Sequence, residues 1–486
     1  MEQKDFKGKL INATKWSTIT EIAAKLITPI TNMILARIIS PQAFGVVATV
    51  TMIMSFSDMF SDAGFQKYLI QHNFKNETEM FKNANVAFWT NLGISITIWI
   101  LIIIFREQIA ILVGNPGLGN VIAVACVQLI LTSFSSIQMA IYRREFDFKT
   151  LFWVRIIGVF IPIIITIPLA FMGLSYWSLI IGSIVMQFSN TMILTIKSKW
   201  KPQKFYSIEI LKDMFSFSVW SLIEAISIWF TAWIDVFIVS SFLNDYYLGL
   251  YKTSTTMING LMALITSAII PVFFATISRL QDSSDRFNKV YFKTQRLLSL
   301  LLFPMGIGVY LYRDLATKIL LGDKWSEASN IIGIWALISV ICIVFGNLSS
   351  EVYRAKGRPK LSFVSQSLFL IVFVPICIIS VKHGFWTFIY ARSLIRLEAI
   401  LVDLIIMKYA IGISPMKIVK NLSPSIVASI CMFIFGYLLK MTSDGIAWDA
   451  LSIVMCALFY FGILYLFPSI RNEMKKIVKL KLDNTL

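Results

Sequence analysis

The sequence has little charge and almost no histidine. Only 15% of its 486 residues are charged, against about 25% in ordinary soluble domains. The two histidines, His72 and His383, are far apart in the chain and make a poor metal site. No GxxxxGK[ST] segment is present, so a P-loop ATP site is excluded. These features exclude a soluble enzyme and predict a chain without catalytic residues, cofactor or metal.

Cysteine is also sparse. The five cysteines are odd in number, lack paired spacing and lie inside apolar segments, so they indicate neither disulfides nor metal ligation: Cys126, Cys342, Cys377, Cys431 and Cys456. A secreted disulfide scaffold is therefore excluded.

Apolar residues dominate the composition. They make up 57% of the chain, and the mean hydropathy is +0.75. Because a membrane-spanning helix needs about 20 apolar residues, we predict an all-α polytopic membrane protein with about 14 transmembrane helices. The predicted spans are 16–39, 42–63, 84–105, 120–142, 151–171, 174–196, 215–240, 247–276, 294–312, 327–350, 361–381, 385–407, 421–439 and 446–468.

The net charge of +17 is distributed unevenly between the predicted connections. With a cytoplasmic N-terminus, every predicted cytoplasmic connection holds several Lys or Arg residues. The opposite connections together hold only Arg106, Arg313, Lys318, Lys324, Lys382 and Lys440. This alternation follows the positive-inside rule. It predicts that both termini are cytoplasmic and that the basic residues face anionic membrane lipids rather than nucleic acid.

An internal repeat covers the first twelve predicted helices. Ile38–Gly45 parallels Phe242–Gly249, and similar matches pair Tyr142 with Tyr353 and Trp177 with Trp386. Two parallel six-helix copies predict pseudo-symmetric lobes around a central cavity. We assign residues 1–196 to an N-lobe, 197–214 to a basic cytoplasmic linker or interfacial helix, 215–407 to a C-lobe, 408–470 to two further helices and 471–486 to a basic cytoplasmic tail.

Four of the basic residues within the predicted spans are candidates for a binding site. Charges at this depth are costly, so they normally face a cavity or a partner. We predict that a cationic, substrate-binding cavity contains Lys25, Arg155, Arg392 and Arg396. The alternatives are that Lys25 pairs with a neighbouring acid four residues away, that Arg155 reaches the membrane interface, and that the other two form interhelical ion pairs.

Four of the acidic residues within the predicted spans are candidates for cavity carboxylates or for coupling to H+ or Na+: Glu21, Asp58, Glu224 and Asp235. Glu21 could instead neutralise Lys25, and Glu224 or Glu398 could pair with Arg392 or Arg396. Both interpretations remain open at this point.

Several segments carry a family resemblance. Leu35–Gly45, Phe60–Phe65, Tyr142–Phe148 and Gly173–Leu179 resemble polysaccharide transporters, as do Asp235–Val239, Leu248–Tyr251 and Ser278–Gln281. These transporters are the O-antigen and exopolysaccharide flippase branch of the multidrug/oligosaccharidyl-lipid/polysaccharide exporter superfamily. The similarity extends over nearly the whole chain.

The resemblance implies a flippase that moves an undecaprenyl-diphosphate-linked oligosaccharide from the inner to the outer leaflet of the bacterial cytoplasmic membrane by alternating access. It implies no cofactor, and it suggests a polysaccharide polymerase and other assembly proteins as partners. A cation-coupled multidrug exporter of the same superfamily is the alternative, although drug cations would favour a cavity rich in carboxylates. A scaffold protein or a glycan-assembly enzyme is a further alternative.

Overall fold

The computed structural model describes the backbone of residues 2–62, 64–281, 283–358, 360–468 and 470–471. Within these ranges, it describes all side chains except those of residues 2–15, 17, 18, 21, 22, 61, 62, 216–221, 223 and 224.

The described chain is mainly helical and contains no strand in those ranges. Its first half contains α1 (Glu2–Ile38), α2 (Pro41–Asp62), α3 (Phe65–Gln71), α4 (Glu77–Ile104), α5 (Arg106–Leu112), α6 (Gly119–Ala125), α7 (Gln128–Arg144), α8 (Phe148–Ile161), α9 (Ile167–Phe171), α10 (Tyr176–Lys197) and α11 (Ile208–Phe242). The remainder contains α12 (Asp245–Ser278), α13 (Ser284–Leu311), α14 (Arg313–Leu320), α15 (Ala328–Cys342), α16 (Leu348–Ala355), α17 (Lys360–Lys382), α18 (Phe385–Leu394), α19 (Arg396–Ile406), α20 (Pro415–Lys440) and α21 (Ile446–Leu466).

The predicted all-α membrane fold is confirmed, but the count of about 14 spans is not. Among the described residues, 12 helical stretches are long and apolar enough to cross a membrane. The predicted spans 16–39 and 385–407 are helical without being among the 12. The second of these is divided into α18 and α19, two short helices joined at Ile395, and it carries several charges. Its charges lower the mean hydropathy of the segment. The interruption at Ile395 leaves two helices of 10 and 11 residues, each too short to cross a membrane.

The chain divides into two compact units, Met1–Thr253 and Ser254–Leu486. Because α11 packs against α2, α3 and α4, it belongs with the first unit. Residues 208–214 of the basic connector form the first turns of α11. Trp200 and Met214, both in this connector, are buried in one apolar cluster with Phe88. The lobe boundaries inferred from the repeat stay a prediction.

Side-chain hydrogen bonds cap the start of α4 and hold the turn between α3 and α4. The Asn76 side chain accepts a hydrogen bond from the backbone N–H of Glu79 at 2.8 Å and caps α4. Arg144, at the end of α7, donates to the backbone oxygens of Leu69, Ile70 and His72 at 2.8, 3.1 and 2.6 Å. These carbonyls lie at the C-terminal end of α3, so a single arginine fixes the turn between α3 and α4.

Candidate functional site

A small cavity of about 270 Å³ lies between three helical segments of the first unit. We call it the polar cavity because several polar side chains take part in its otherwise apolar lining. Thr28, Thr31 and Asn32 of α1 line one side, and Ser183 of α10 lines another. The third side follows α8, whose residue Arg155 also lines the cavity. Polar groups from three separate segments therefore converge on one space.

The backbone beside this cavity is irregular for a reason visible in the sequence. Between α8 and α9, residues Pro162–Thr166 form a π-helical segment. Proline has no N–H to donate to the preceding turn, and π-helical turns insert an extra residue that widens the helix. Pro162 and Thr166 both line the cavity, so the irregular turn shapes its wall.

The Arg155 side chain is exposed and lines the cavity. Within the described part of the chain, no hydrogen bond or ion pair involves its guanidinium group. A guanidinium group presents five N–H donors in a planar fork that fits phosphate oxygens. The cavity can therefore receive an anionic group, with Thr28 and Asn32 offering further hydrogen bonds. The predicted binding role of Arg155 stays a prediction.

Lys25 is half-buried on α1, one turn before Thr28. It does not contribute to the wall of the cavity, although it shares a helical face with Thr28 and Asn32. Its positive charge on this face adds to the positive potential near the cavity. Whether it also contacts substrate stays a prediction.

Arg392 and Arg396 lie in the second unit and pack against aromatic rings. The Cζ atom of Arg392 is 4.4 Å from the ring centroid of Phe373 and 5.2 Å from that of Trp335. The Cζ atom of Arg396 is 4.5 Å from the Trp335 centroid, and its Nη1 donates to Ser339 Oγ at 2.9 Å. Both arginines therefore have structural contacts through cation–π packing. Their role in substrate binding stays a prediction.

Two of the predicted acidic residues have described side chains. Asp235 is buried, with an exposed fraction of 6%, and its Oδ2 accepts a hydrogen bond from the Tyr251 hydroxyl at 2.5 Å. Asp58 is half-buried on α2. The side chains of Glu21 and Glu224 lie outside the described residues. Ion coupling through any of these carboxylates stays a prediction.

The starts of α2 and α12 meet in a reciprocal contact. A Cβ atom added at Gly45 would lie 2.7 Å from the Asp245 carbonyl carbon, and one added at Gly249 would lie 2.7 Å from the Pro41 carbonyl carbon. Only glycine permits so close an approach of two backbones. Gly45 and Gly249 occupy equivalent places in the sequence repeat, so the two copies contact each other symmetrically here.

Buried polar side chains beside this contact join α2, the segment after α5 and the end of α11. Asn115 Nδ2 donates to Ser240 Oγ at 3.0 Å, and Thr49 Oγ1 lies 3.1 Å from Ser240 Oγ. Ser240 Oγ in turn donates to the backbone oxygen of Val113. We call the glycine contact and this polar cluster the α2–α12 junction. Sequence reasoning aligned the two glycines but missed the junction, because the alignment does not show that equivalent positions touch.

The family described as "Polysaccharide biosynthesis protein" matches residues 34–330. The chain is 23% identical over 381 residues to an "Uncharacterized membrane protein in cps region" of Klebsiella pneumoniae, covering 76% of each chain. It is 24% identical to the "Succinoglycan biosynthesis transport protein ExoT" of Rhizobium meliloti, covering 66% of this chain and 64% of that protein.

A similar fold occurs in a solved structure. The "Lipid II flippase MurJ, inward closed conformation" aligns with a TM-score of 0.74 and 15% identity, covering 93% of this chain and 98% of that one. At this identity the likeness concerns the fold alone. The match to the family extends over more than half of the sequence and confirms the resemblance to polysaccharide transporters. This multi-pass membrane chain therefore belongs to the polysaccharide biosynthesis protein family.

Proposed function

We propose that this chain is a flippase rather than an enzyme, and that it moves a lipid-diphosphate-linked oligosaccharide from the inner to the outer leaflet. The observation that carries the proposal is the exposed Arg155 guanidinium in the polar cavity, which is lined by α1 and by two stretches apolar enough to cross a membrane, Phe148–Phe171 and Tyr176–Lys197. The names of relatives support it, since one is a succinoglycan transport protein and a structural neighbour is a lipid II flippase.

The cargo explains why a positive charge is useful at this depth. A diphosphate cannot enter hydrocarbon without losing its hydration, and such a transfer is very costly for an isolated charge. Arg155 offers charge-assisted hydrogen bonds that replace part of that hydration. A drug exporter for organic cations would instead place carboxylates in the cavity, so the described cavity favours an anionic cargo.

The α2–α12 junction suggests how access would alternate. We infer that it closes the outer side of the protein, because the charge distribution places the starts of α2 and α12 outside. Rocking of the repeats would open this junction as the inner side closes. The same charge distribution supports a bacterial cytoplasmic membrane location with both termini in the cytoplasm.

Deletion of the chain tests the proposed activity. We expect surface glycan to disappear and the lipid-linked glycan to accumulate on the inner leaflet. Arg155→Glu should reproduce this defect at normal protein levels, whereas Arg155→Lys should retain partial display because it keeps the charge. Arg279→Glu, which reverses an exposed arginine in a connection, is the matched control. Normal glycan display in the deletion strain would refute the function.

The source of energy and the partners belong to the same proposal. Without an ATP-binding loop, net movement needs an H+ or Na+ gradient, or consumption of the product outside by a polymerase. Glu21, Asp58, Glu224 and Asp235 are the candidate coupling groups. If Asp235→Asn and Glu224→Gln both leave transport and its response to an uncoupler unchanged, coupling through these two residues is wrong.

A further inference from the structure

A second cavity of the first unit differs in chemistry from the one beside Arg155. It has a volume of about 510 Å³ and lies between α2, the α4–α5 region and α11. Its lining includes Phe56, Ile102, Leu112, Trp229 and Ile234. The volume falls within the range of about 300–1,000 Å³ that is typical of small-molecule sites.

The polar groups in its wall are already satisfied. The Trp229 indole N–H donates to Ser55 Oγ at 3.0 Å, and Ser57 Oγ donates to the Ile53 backbone oxygen at 2.9 Å. A polar ligand would lose hydration here without gaining partners. The pocket therefore suits a hydrocarbon chain, and the exposed rim residue Leu112 provides an apolar edge for its access.

The α2–α12 junction also holds the walls of this apolar pocket together. Leu112 and Val113 line the pocket, and their backbone oxygens accept hydrogen bonds from Ser241 and Ser240, respectively, at the end of α11. Opening of the junction would separate α11 from these residues. The pocket is consequently complete only while the junction is closed.

The side chain of Gln128 contacts residues at the edges of both the polar cavity and the apolar pocket. Gln128 Nε2 donates to Ser183 Oγ at 2.9 Å and lies 3.4 Å from the sulfur atom of Met54. Ser183 lines the polar cavity, and Ile53, next to Met54, lines the apolar pocket. The Gln128 side chain thus bridges the two linings. Where the chain of a lipid held beside Arg155 extends toward this pocket, its local concentration there is raised.

We propose that the apolar pocket holds a segment of the hydrocarbon chain of the lipid-linked substrate while the α2–α12 junction is closed, and releases it when the junction opens. This inference rests on the proposed flippase function. Because lipid is as apolar as the pocket, binding depends on packing against the aromatic rings rather than on the hydrophobic effect. A chain that binds only the closed state stabilises that state. Release of the chain and opening of the junction thereby become linked.

Photo-crosslinking identifies the occupant. Phe56→p-benzoylphenylalanine places the reactive group in the pocket, and Phe188→p-benzoylphenylalanine places it on an exposed face of α10, away from the pocket. Both proteins are irradiated in phosphatidylcholine vesicles containing a polyprenyl diphosphate, and the adducts are identified by mass spectrometry. We expect prenyl adducts at position 56 and phospholipid adducts at position 188. Phospholipid alone at position 56, or no adduct there, would overturn the proposal.

A pocket-filling substitution provides a second measurement. Ile234→Trp adds bulk to the lining, whereas Ile228→Trp adds the same bulk at an exposed position of the same helix. We expect the first to reduce the prenyl adduct at position 56 by about tenfold, equivalent to about 1.4 kcal/mol of binding free energy. The second should leave the adduct unchanged, and equal yields in both would contradict the proposed site.

The two hypotheses fail in different ways. If only phospholipid is captured at position 56 while deletion of the chain still abolishes surface glycan, the chain-binding pocket is wrong and the flippase function stands. If deletion leaves surface glycan normal, the function itself is wrong, whatever is captured at that position.

Discussion

Adding one methyl group at the α2–α12 junction should open it. In Gly249→Ala, the new Cβ would lie 2.7 Å from the Pro41 carbonyl carbon, whereas ordinary contacts begin at 3.4 Å. The Pro41 carbonyl oxygen is nearer still and would overlap the new Cβ, so the two backbones must separate by more than the shortfall at the carbonyl carbon. Overpacking of this kind costs about 1–3 kcal/mol, which changes an equilibrium between two states by about 5–150-fold. Gly45→Ala should act equally, because its contact with Asp245 is the reciprocal one.

Labelling of a buried position measures this opening. Ser240→Cys introduces a thiol at a site with an exposed fraction of 1%, and a maleimide should react with it only when the junction opens. In purified protein we expect Gly249→Ala to raise the labelling rate of this cysteine by about 5–150-fold, following the population of the open state. Parallel labelling of protein without Ser240→Cys corrects for the natural cysteines.

Gly93→Ala is the matched control, because an added Cβ there meets no atom within 4 Å. It should label at the parent rate. If Gly249→Ala and Gly45→Ala also label at the parent rate while remaining folded, then the glycine contacts do not determine closure. The assignment of the junction as a gate would then be wrong.

Three further substitutions test particular contacts. Tyr251→Phe removes the hydroxyl that donates to buried Asp235, so the free energy of unfolding should fall by about 1–3 kcal/mol. Denaturant titration measures this free energy, and an unchanged value would contradict a structural hydrogen bond. Arg144→Ala removes the donor to three carbonyls at the C-terminal end of α3 and should speed proteolysis near residues 72–76, unlike Arg143→Ala. Trp335→Leu removes the ring against which two arginines pack and should lower thermal stability, with an unchanged melting temperature contradicting that packing.

The membrane class and most helices could be predicted from the sequence, because apolar run length is a property of consecutive residues. The intramembrane position of Arg155 could be predicted for the same reason. Prediction was weakest where a helix is interrupted. The pieces on either side of Ile395 are short and charged, so hydropathy alone could not establish them as one span.

Tertiary structure decided which of these residues meet. A sequence pattern reveals the face of a helix but not the neighbour against which that face packs, since the partners lie on distant segments. Arg155 therefore shares a cavity with α1 and α10, while Arg392 stacks on Phe373 and Trp335. Likewise, the repeat identified Gly45 and Gly249 as equivalents, but only folding brought the two helix starts within backbone contact. Local chemistry specified the helices, and long-range packing specified the cavity and the junction.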